Sequence, residues 1–238
     1  MQRVAIAPQQ RQEDAIFLTP EQQHYLYRVL RLAAGDRFLA MDGCGKTWIA
    51  QLEDTTAKII DRLEVKTELP VAVTLGIALP KGNAFDDLVR CCTELGAAAI
   101  VPLLSDRVLL NPSPQKLERW RRIIREAGEQ SERQILPTLS APVRFNPDWL
   151  QSCAPVAGRY LCVARGEFPH LLTCLQSSLR LGEVEEIAIA TGPEGGWTVA
   201  EVESAIAAGF QPVSLGKRIL RAATAPIVAL SILAAAIE

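Results

Sequence analysis

Residues 186–237 read EIAIATGPEGGWTVAEVESAIAAGFQPVSLGKRILRAATAPIVALSILAAAI, and this stretch decides the fold. Ile187-Ala188-Ile189-Ala190 is an uninterrupted apolar run, the pattern of a parallel strand buried on both faces. The chain then breaks at Gly192-Pro193-Glu194-Gly195-Gly196, where three glycines permit positive φ and let a backbone approach a ligand closely. Thr198 and Glu201 stand in capping-box spacing. Val199, Val202 and Ile206 follow at helical intervals, and Gly209 is placed to end the helix. Residues 213–215 read as another short strand, which runs into a second loop, Gly216-Lys217-Arg218-Ile219-Leu220-Arg221. An apolar helix with Pro226 in its first turn closes the stretch. Two glycine-containing loops thus follow two strands, and open α/β sheets bind ligands at such loops. The dinucleotide fingerprint G-x-G-x-x-G is absent, so on shape alone the glycines fit tight turns as well as a ligand cradle.

Upstream, the same β-α-β rhythm extends back to about residue 70. Leu69-Pro70 marks a break. Residues 71–79 are a continuous apolar run suited to a central strand, 85–95 an amphipathic helix stopped by Gly96, and 97–104 the next strand. Residues 113–134 read as one long helix. Its charges pair at i,i+4, as in Arg122–Glu126 and Arg125–Glu129, the mark of an exposed face. Residues 160–164 form a strand candidate, and 168–179 a helix. Lys81 follows a strand end, where it is either a site residue or simply solvated.

Before residue 69 the chain is β-rich. Thr19-Pro20-Glu21-Gln22 opens a helix through a capping box, and Asp42-Gly43 signals a hairpin. Gly45-Lys46-Thr47 imitates the end of a phosphate-binding P-loop, but position 40 is alanine and no helix follows, so nucleotide binding there is excluded. The net charge of −2 rules out polyanion binding by bulk charge, and an RNA partner needs a local basic patch. Six cysteines without a C-x-x-C pair do not make a zinc pattern, so no metal is expected. The polar start is no signal peptide, free thiols fit a cytoplasmic protein, and the apolar run 222–237 reads as a buried helix rather than a membrane anchor.

TGPEGGWTVAE followed by SLGKRILRAATAP resembles the cofactor loops of the SPOUT (α/β-knot) methyltransferases. It is most similar to the RsmE-type family, which methylates N3 of one uridine in small-subunit (16S) ribosomal RNA. HYLYRVLRLAAGD resembles that family's H-x-x-x-VLR-x-x-x-G-D element. LPKGNAFDDLVRCCTELGAAAIVPLLSDR resembles its first knot-domain unit, and Glu129-Gln130-Ser131-x-Arg133 its E-Q-(S/C)-x-R block. The resemblance spans nearly the whole chain. It implies an α/β fold with a C-terminal SPOUT trefoil-knot domain built on a parallel sheet over residues 70–238. A small PUA-like β-barrel that binds RNA would precede it over 1–69. It implies S-adenosylmethionine as donor, 16S rRNA or the small ribosomal subunit as partner, and a homodimer whose sites borrow residues from the partner subunit.

Residue by residue, the resemblance places the donor among Ala164, Gly166, Gly192, Glu194, Gly195, Gly196, Leu215, Gly216, Ile219 and Leu220. It places RNA against Arg3, Arg28, Arg31, Glu129, Gln130 and Arg133, with Arg28 and Arg31 three apart on one helix face. N3 of uracil is a weak nucleophile while protonated. Arg133 and Arg221 are therefore expected to face the developing oxyanion, and Glu194 is a candidate base if burial raises its pKa. Glu194 is equally suited to bonding backbone amides. One departure stands out. The family reads R-T-E-T-A where this chain reads Arg221-Ala222-Ala223-Thr224-Ala225, so the glutamate's role has no carrier here. Two other readings stay open: a SPOUT enzyme methylating a ribose 2′-OH of tRNA or rRNA, and a non-catalytic RNA-binding ribosome-assembly factor.

Overall fold

The computed structural model describes residues 1–108, 111–179 and 185–238. The chain divides into two units, residues 1–68 with 125–136, and residues 69–124 with 137–238. The segment 125–136, placed after the residue-70 boundary in the sequence reading, therefore belongs to the first unit.

In the first unit, β1 (Arg3–Ala5), β2 (Arg11–Gln12), β3 (Ala15–Phe17), β4 (Arg37–Met41), β5 (Thr47–Glu53) and β6 (Thr56–Leu63) share one sheet. Their order is β1-β4-β5-β6-β3-β2, with β1 parallel to β4 and the other pairs antiparallel. Its buried face carries Val4, Ile16, Phe38, Trp48 and Leu52, with Leu26 beneath them. The hairpin at Asp42-Gly43 is a five-residue loop, not a two-residue turn. The Asp42 carboxylate accepts from the amides of Cys44 (2.8 Å) and Lys46 (3.0 Å), and Gly43 takes φ +68°. Lys46 runs directly into β5, where Thr47 is fully buried in the ladder.

Helix α1 (Pro20–His24) starts as its sequence demands. Thr19 Oγ1 accepts from Gln22 N (3.2 Å), and Gln22 Oε1 accepts from Thr19 N (2.9 Å). It then widens into a π turn, Tyr25–Val29, and Leu30 N bonds Tyr25 O. Arg31 lies past that turn at φ +58°. Arg28 and Arg31 are both exposed, but they do not share a helix face: the i,i+3 argument assumed a regular helix, and the helix has ended.

The second unit is a parallel sheet. Its strands are β7 (Ala72–Ala78), β8 (Ala99–Leu104), β9 (Thr138–Leu139), β10 (Val143–Arg144), β11 (Gly158–Cys162), β12 (Glu186–Thr191) and β13 (Gln211–Val213). They run in the order β10-β8-β7-β12-β11-β13, with β9 also beside β8, and every pairing is parallel. The central strands β7 and β12 are the continuous apolar runs, buried almost throughout, as a sheet covered on both faces requires. The helices are α2 (Ala84–Glu94), α3 (Pro114–Gln130), whose residues from Arg125 onward belong to the first unit, α4 (Pro147–Ser152), α5 (Leu171–Leu179), α6 (Val199–Ala207) and α7 (Ala225–Ile237). Helix α7 packs on α2, α5 and β12 through Ala229, Leu230 and Leu233. Among the described residues no helix is long and apolar enough to cross a membrane.

Helix α3 stops four residues short of the expected end. Glu132 takes φ +63°, and Arg133 N donates to Gly128 O (3.0 Å), the long bond of a Schellman ending. A glutamate occupies the position that glycine usually takes, and its carboxylate pairs with Arg3 Nη2 at 2.6 Å. Beside it, Arg133 Nε and Nη2 donate to Glu68 Oε2 (3.1 and 2.5 Å), while Glu68 Oε1 accepts from Gln134 N and Ile135 N. Glu129 Oε1 accepts from Ala5 N at 2.6 Å. The E-Q-S-x-R block is thus a clasp inside the first unit. Arg3 is 9% exposed and Arg133 3%, so neither guanidinium is presented to solvent as the RNA-facing expectation required.

Two predictions come from the clasp. Arg133→Ala should lower unfolding free energy by roughly 3 kcal/mol in urea melts, because it breaks a buried ion pair. A surface RNA contact would change stability by only about 0.5 kcal/mol. Burial pushes the Glu129 carboxyl above its ordinary 4.5; the nearby Glu126 also raises it, against the Ala5 amide and Arg125, which lower it. A raised folded-state value contributes stability at acid pH that is lost as pH rises through it. The stability difference between Glu129→Gln and wild type should therefore be most in the variant's favour at pH 7 and shrink on acidification, measured by urea unfolding across pH.

Candidate active site

The site lies at the C-terminal edge of the parallel sheet in the second unit. Loops after β11, β12 and β13 wall a cavity of about 480 Å³, and Arg107, just beyond β8, completes it. The central loop is shaped by its own sequence. Gly196 N bonds Pro193 O (2.8 Å) and Gly196 takes φ +68°, closing a tight turn. A Cβ on Gly195 would stand 2.9 Å from Arg107 Cδ, and the Gly195 carbonyl accepts from Arg107 Nη1. Trp197 turns inward, donates its indole N–H to Cys162 O (3.1 Å) and stacks on Phe145.

Helix α6 anchors this loop. Thr198 Oγ1 accepts from Glu201 N, and Glu201 Oε2 accepts from Thr198 N at 2.7 Å, the capping box read from sequence. Glu201 is only 5% exposed, and its other oxygen accepts from Asp106 N at 2.9 Å, which ties the loop after β8 to the loop after β12. Glu194 Oε1 accepts from Lys81 N (2.9 Å), so this carboxylate bonds a backbone amide of the loop after β7. On the β13 side, Gly216 takes φ +118° and its amide donates to Ser214 Oγ (3.1 Å). At the mouth, Val199 and Ile219 are 75% and 60% exposed, an apolar rim that a ligand would cover. Cys162 lines the wall; burial pushes its thiol up to about 12, so it is an inert surface rather than a nucleophile.

Of the expected donor-binding residues, Ala164, Gly192, Glu194, Gly195, Gly196, Leu215, Gly216, Ile219 and Leu220 all line this one cavity. Gly166 does not; it takes φ +114° and turns the chain so that Arg165 and Phe168 reach the wall instead. Arg221 does not line it either. The Arg221 carbonyl accepts from Thr224 N and Ala225 N in the turn before α7, while Ala222 and Ala225 face the cavity. Ala223 is not a lining residue, nor is Arg133. Gln130 is exposed at the end of α3. Sequence reasoning missed Arg107, Trp197, Val202, Glu203 and Arg218. Arg107 is a charged residue just past the C-terminus of an apolar strand, a signal that becomes decisive once the sheet order is known.

This fold and pocket define an RNA methyltransferase of the SPOUT type with a PUA-like N-terminal domain. Residues 67–234 match the model of an RNA methyltransferase domain, and residues 18–61 that of an RNA methyltransferase PUA domain. The chain is 52% identical to ribosomal RNA small subunit methyltransferase E of Synechocystis sp., over 99% of this chain and 78% of that protein. It is 29% identical to the protein of the same name in Bacillus subtilis, over 97% and 95%. Among solved structures, methyltransferase E of Neisseria gonorrhoeae bound to S-adenosyl methionine superposes with TM-score 0.80 at 28% identity, covering 97% of this chain and 95% of that one. A putative methyltransferase from Legionella pneumophila with bound SAM gives 0.81 at 28% identity, covering 98% and 97%. The chain belongs to the ribosomal RNA small subunit methyltransferase E family.

The buried Glu201 carboxylate makes the loop testable without a ligand. Glu201→Gln should cost about 1–3 kcal/mol, because an amide N–H₂ would then face one of the two backbone N–H groups now bonded. Thermal melting of the two proteins checks it.

Proposed function

We propose that this chain binds S-adenosylmethionine in the cavity and methylates N3 of a uridine in 16S ribosomal RNA, working as a homodimer. The observation that carries the reading is the convergence of the Gly192–Gly196 and Leu215–Leu220 segments on one cavity of about 480 Å³, a size suited to a small-molecule ligand. Leu215, Ile219 and Leu220 offer an apolar slot suited to an adenine, and Gly216, tied to the Ser214 hydroxyl, shapes the turn between them. Gly196, with open space where a Cβ would stand, leaves room for main chain to meet the ligand, and Gly195 leaves room for Arg107. When bound, the donor supplies an electrophilic methyl group on a positively charged sulfur. The protein's contribution is positioning and exclusion of water. Glu194, committed to the Lys81 amide, acts as a loop tie rather than as the base.

The uracil must be unstacked to expose N3, so a single-stranded or loop segment is the natural target. Residues 1–69 would supply RNA affinity through exposed cations such as Arg28 and Arg31, with Gln130 also exposed for contact. Helix α7 is apolar around its circumference, and Ile227, Val228 and Ile232 are only half-buried, which supports a second copy packing there.

The test is methyl transfer from labelled S-adenosylmethionine to small ribosomal subunits lacking the modification, with the product nucleoside identified by mass spectrometry. The expected product is 3-methyluridine at one site, with Ala223 tolerated. Label on a ribose would replace this reading with 2′-O-methylation. Binding of donor and RNA without transfer would replace it with an assembly factor.

A further inference from the structure

Among the described residues three arginines line the cavity, Arg107, Arg165 and Arg218. Only one of them is held in place. Arg165 and Arg218 lie within the loops after β11 and β13 and make no side-chain hydrogen bond among the described residues. Arg107 donates through Nη1 to the Gly195 carbonyl, and its stem lies against the space above Gly195. The residue before it is tied twice, by Asp106 N to Glu201 and by the Asp106 carboxylate accepting from Thr198 Oγ1 (3.3 Å). No carboxylate pairs with Arg107 among the described residues, so its charge is not neutralised, and Nε and Nη2 stay available.

Its place in the sheet matters as much as its anchoring. Arg107 enters from β8, whereas the other walls follow β12, β11 and β13. With strands about 4.8 Å apart, β8 stands roughly 10 Å from β12 and roughly 19 Å from β13. A donor seated between the β12 and β13 loops leaves the β8 side as the wall that meets the acceptor.

The geometry points to Arg107 as a catalytic residue that holds the negative charge on the target uracil while its N3 is methylated. This rests on the uridine-N3 reading above. In that reaction the N3–H proton leaves to water, and the electron pair it leaves spreads from N3 onto O2 and O4. N3 then bonds the donor's methyl carbon as the methyl–sulfur bond breaks, its electrons staying on sulfur. A guanidinium N–H aimed at an oxygen flanking N3 stabilises the anion at the moment it forms. Because Gly195 and the Asp106 ties fix the group beforehand, no reorganisation is needed. The rival role, holding the donor's own carboxylate, differs in one respect. That charge is present in the ground state, so it would appear in binding and not in the pH dependence of the chemistry.

The experiment compares wild type with Arg107→Gln and Arg107→Lys in the full chain. It reads melting temperature, Kd for S-adenosylmethionine and for S-adenosylhomocysteine, and single-turnover methyl transfer to unmodified small subunits from neutral to alkaline pH. Arg107→Gln should keep both Kd values within about threefold and slow transfer by about 10²–10³-fold. Its rate should continue to rise at alkaline pH beyond the point where wild type levels off. Arg107→Lys should fall between, since it keeps charge without the fork, and it carries the test if the glutamine variant melts early. Kd rising in step with the loss of rate, with an unchanged pH profile, would overturn the proposal in favour of carboxylate binding or loop support. Wild-type rate and profile in Arg107→Gln, with 3-methyluridine still the product, sinks this assignment alone. A wild-type product other than 3-methyluridine sinks the uridine-N3 reading and this assignment with it.

Discussion

Strand β12 lies in parallel register on β7, from Glu186 opposite Ala72 to Thr191 opposite Ile77, and on β11 at its other edge. The site depends on that double pairing. Both faces of the strand are buried, so a slip of one residue would exchange every side chain between two packed layers. The pairing therefore fixes where Thr191 ends and where Gly192 begins. The glycine-rich loop emerges between the loops of its neighbours, and the segments after β7 and β8 can reach it from one side and those after β11 and β13 from the other. A parallel sheet gathers its loops at one edge by construction. Here the sequence chooses which of them touch.

The contacts that join these loops are polar and mostly backbone-directed. Glu201 is a buried carboxylate that forms no ion pair among the described residues, a state that would be costly in an apolar medium. It is satisfied by two amides, those of Thr198 and Asp106, and it sits in the first turn of α6, where the helix's positive end also favours an anion. Glu194 does the same for Lys81 N, and Arg107 reverses the polarity by donating to Gly195 O. Three irregular segments are thereby braced without secondary structure of their own. A loop of this composition would otherwise lose more backbone entropy on ordering than any other kind.

Much of this was legible in the chain. The apolar runs at 71–79 and 187–190, the capping boxes at Thr19 and Thr198 and the two glycine loops each follow from local chemistry, and the structure has them where the pattern puts them. The misses share a physical cause. Arg133 is paired with Glu68, 65 residues away, and Arg3 with Glu132, 129 away, and nothing in local spacing announces such partners. A motif shows that residues belong together without showing whether they face solvent or one another. The shared helix face expected of Arg28 and Arg31 failed for another reason: periodicity presumes a regular helix, and a π turn followed by a left-handed residue removes that face. Arg107 lay just past an apolar strand, but an isolated charge at a strand end becomes informative only when the sheet order is known.

Withdrawing Arg3 and Arg133 from the surface changes the electrostatic argument for RNA. With a net charge of −2, the chain cannot attract a polyanion through its overall field, and each buried guanidinium is one fewer cation to displace counterions from phosphates. The buried pair also spends its charge internally, Arg133 on Glu68 and Arg3 on Glu132. Under the proposed function, the cations left to meet RNA are local: exposed arginines such as Arg28 and Arg31 on the first unit, and the arginines lining the cavity. Such a distribution favours recognition by position over capture by charge. On the proposed function, a target segment would be selected by the few places where a cation and an unstacked base can be met together.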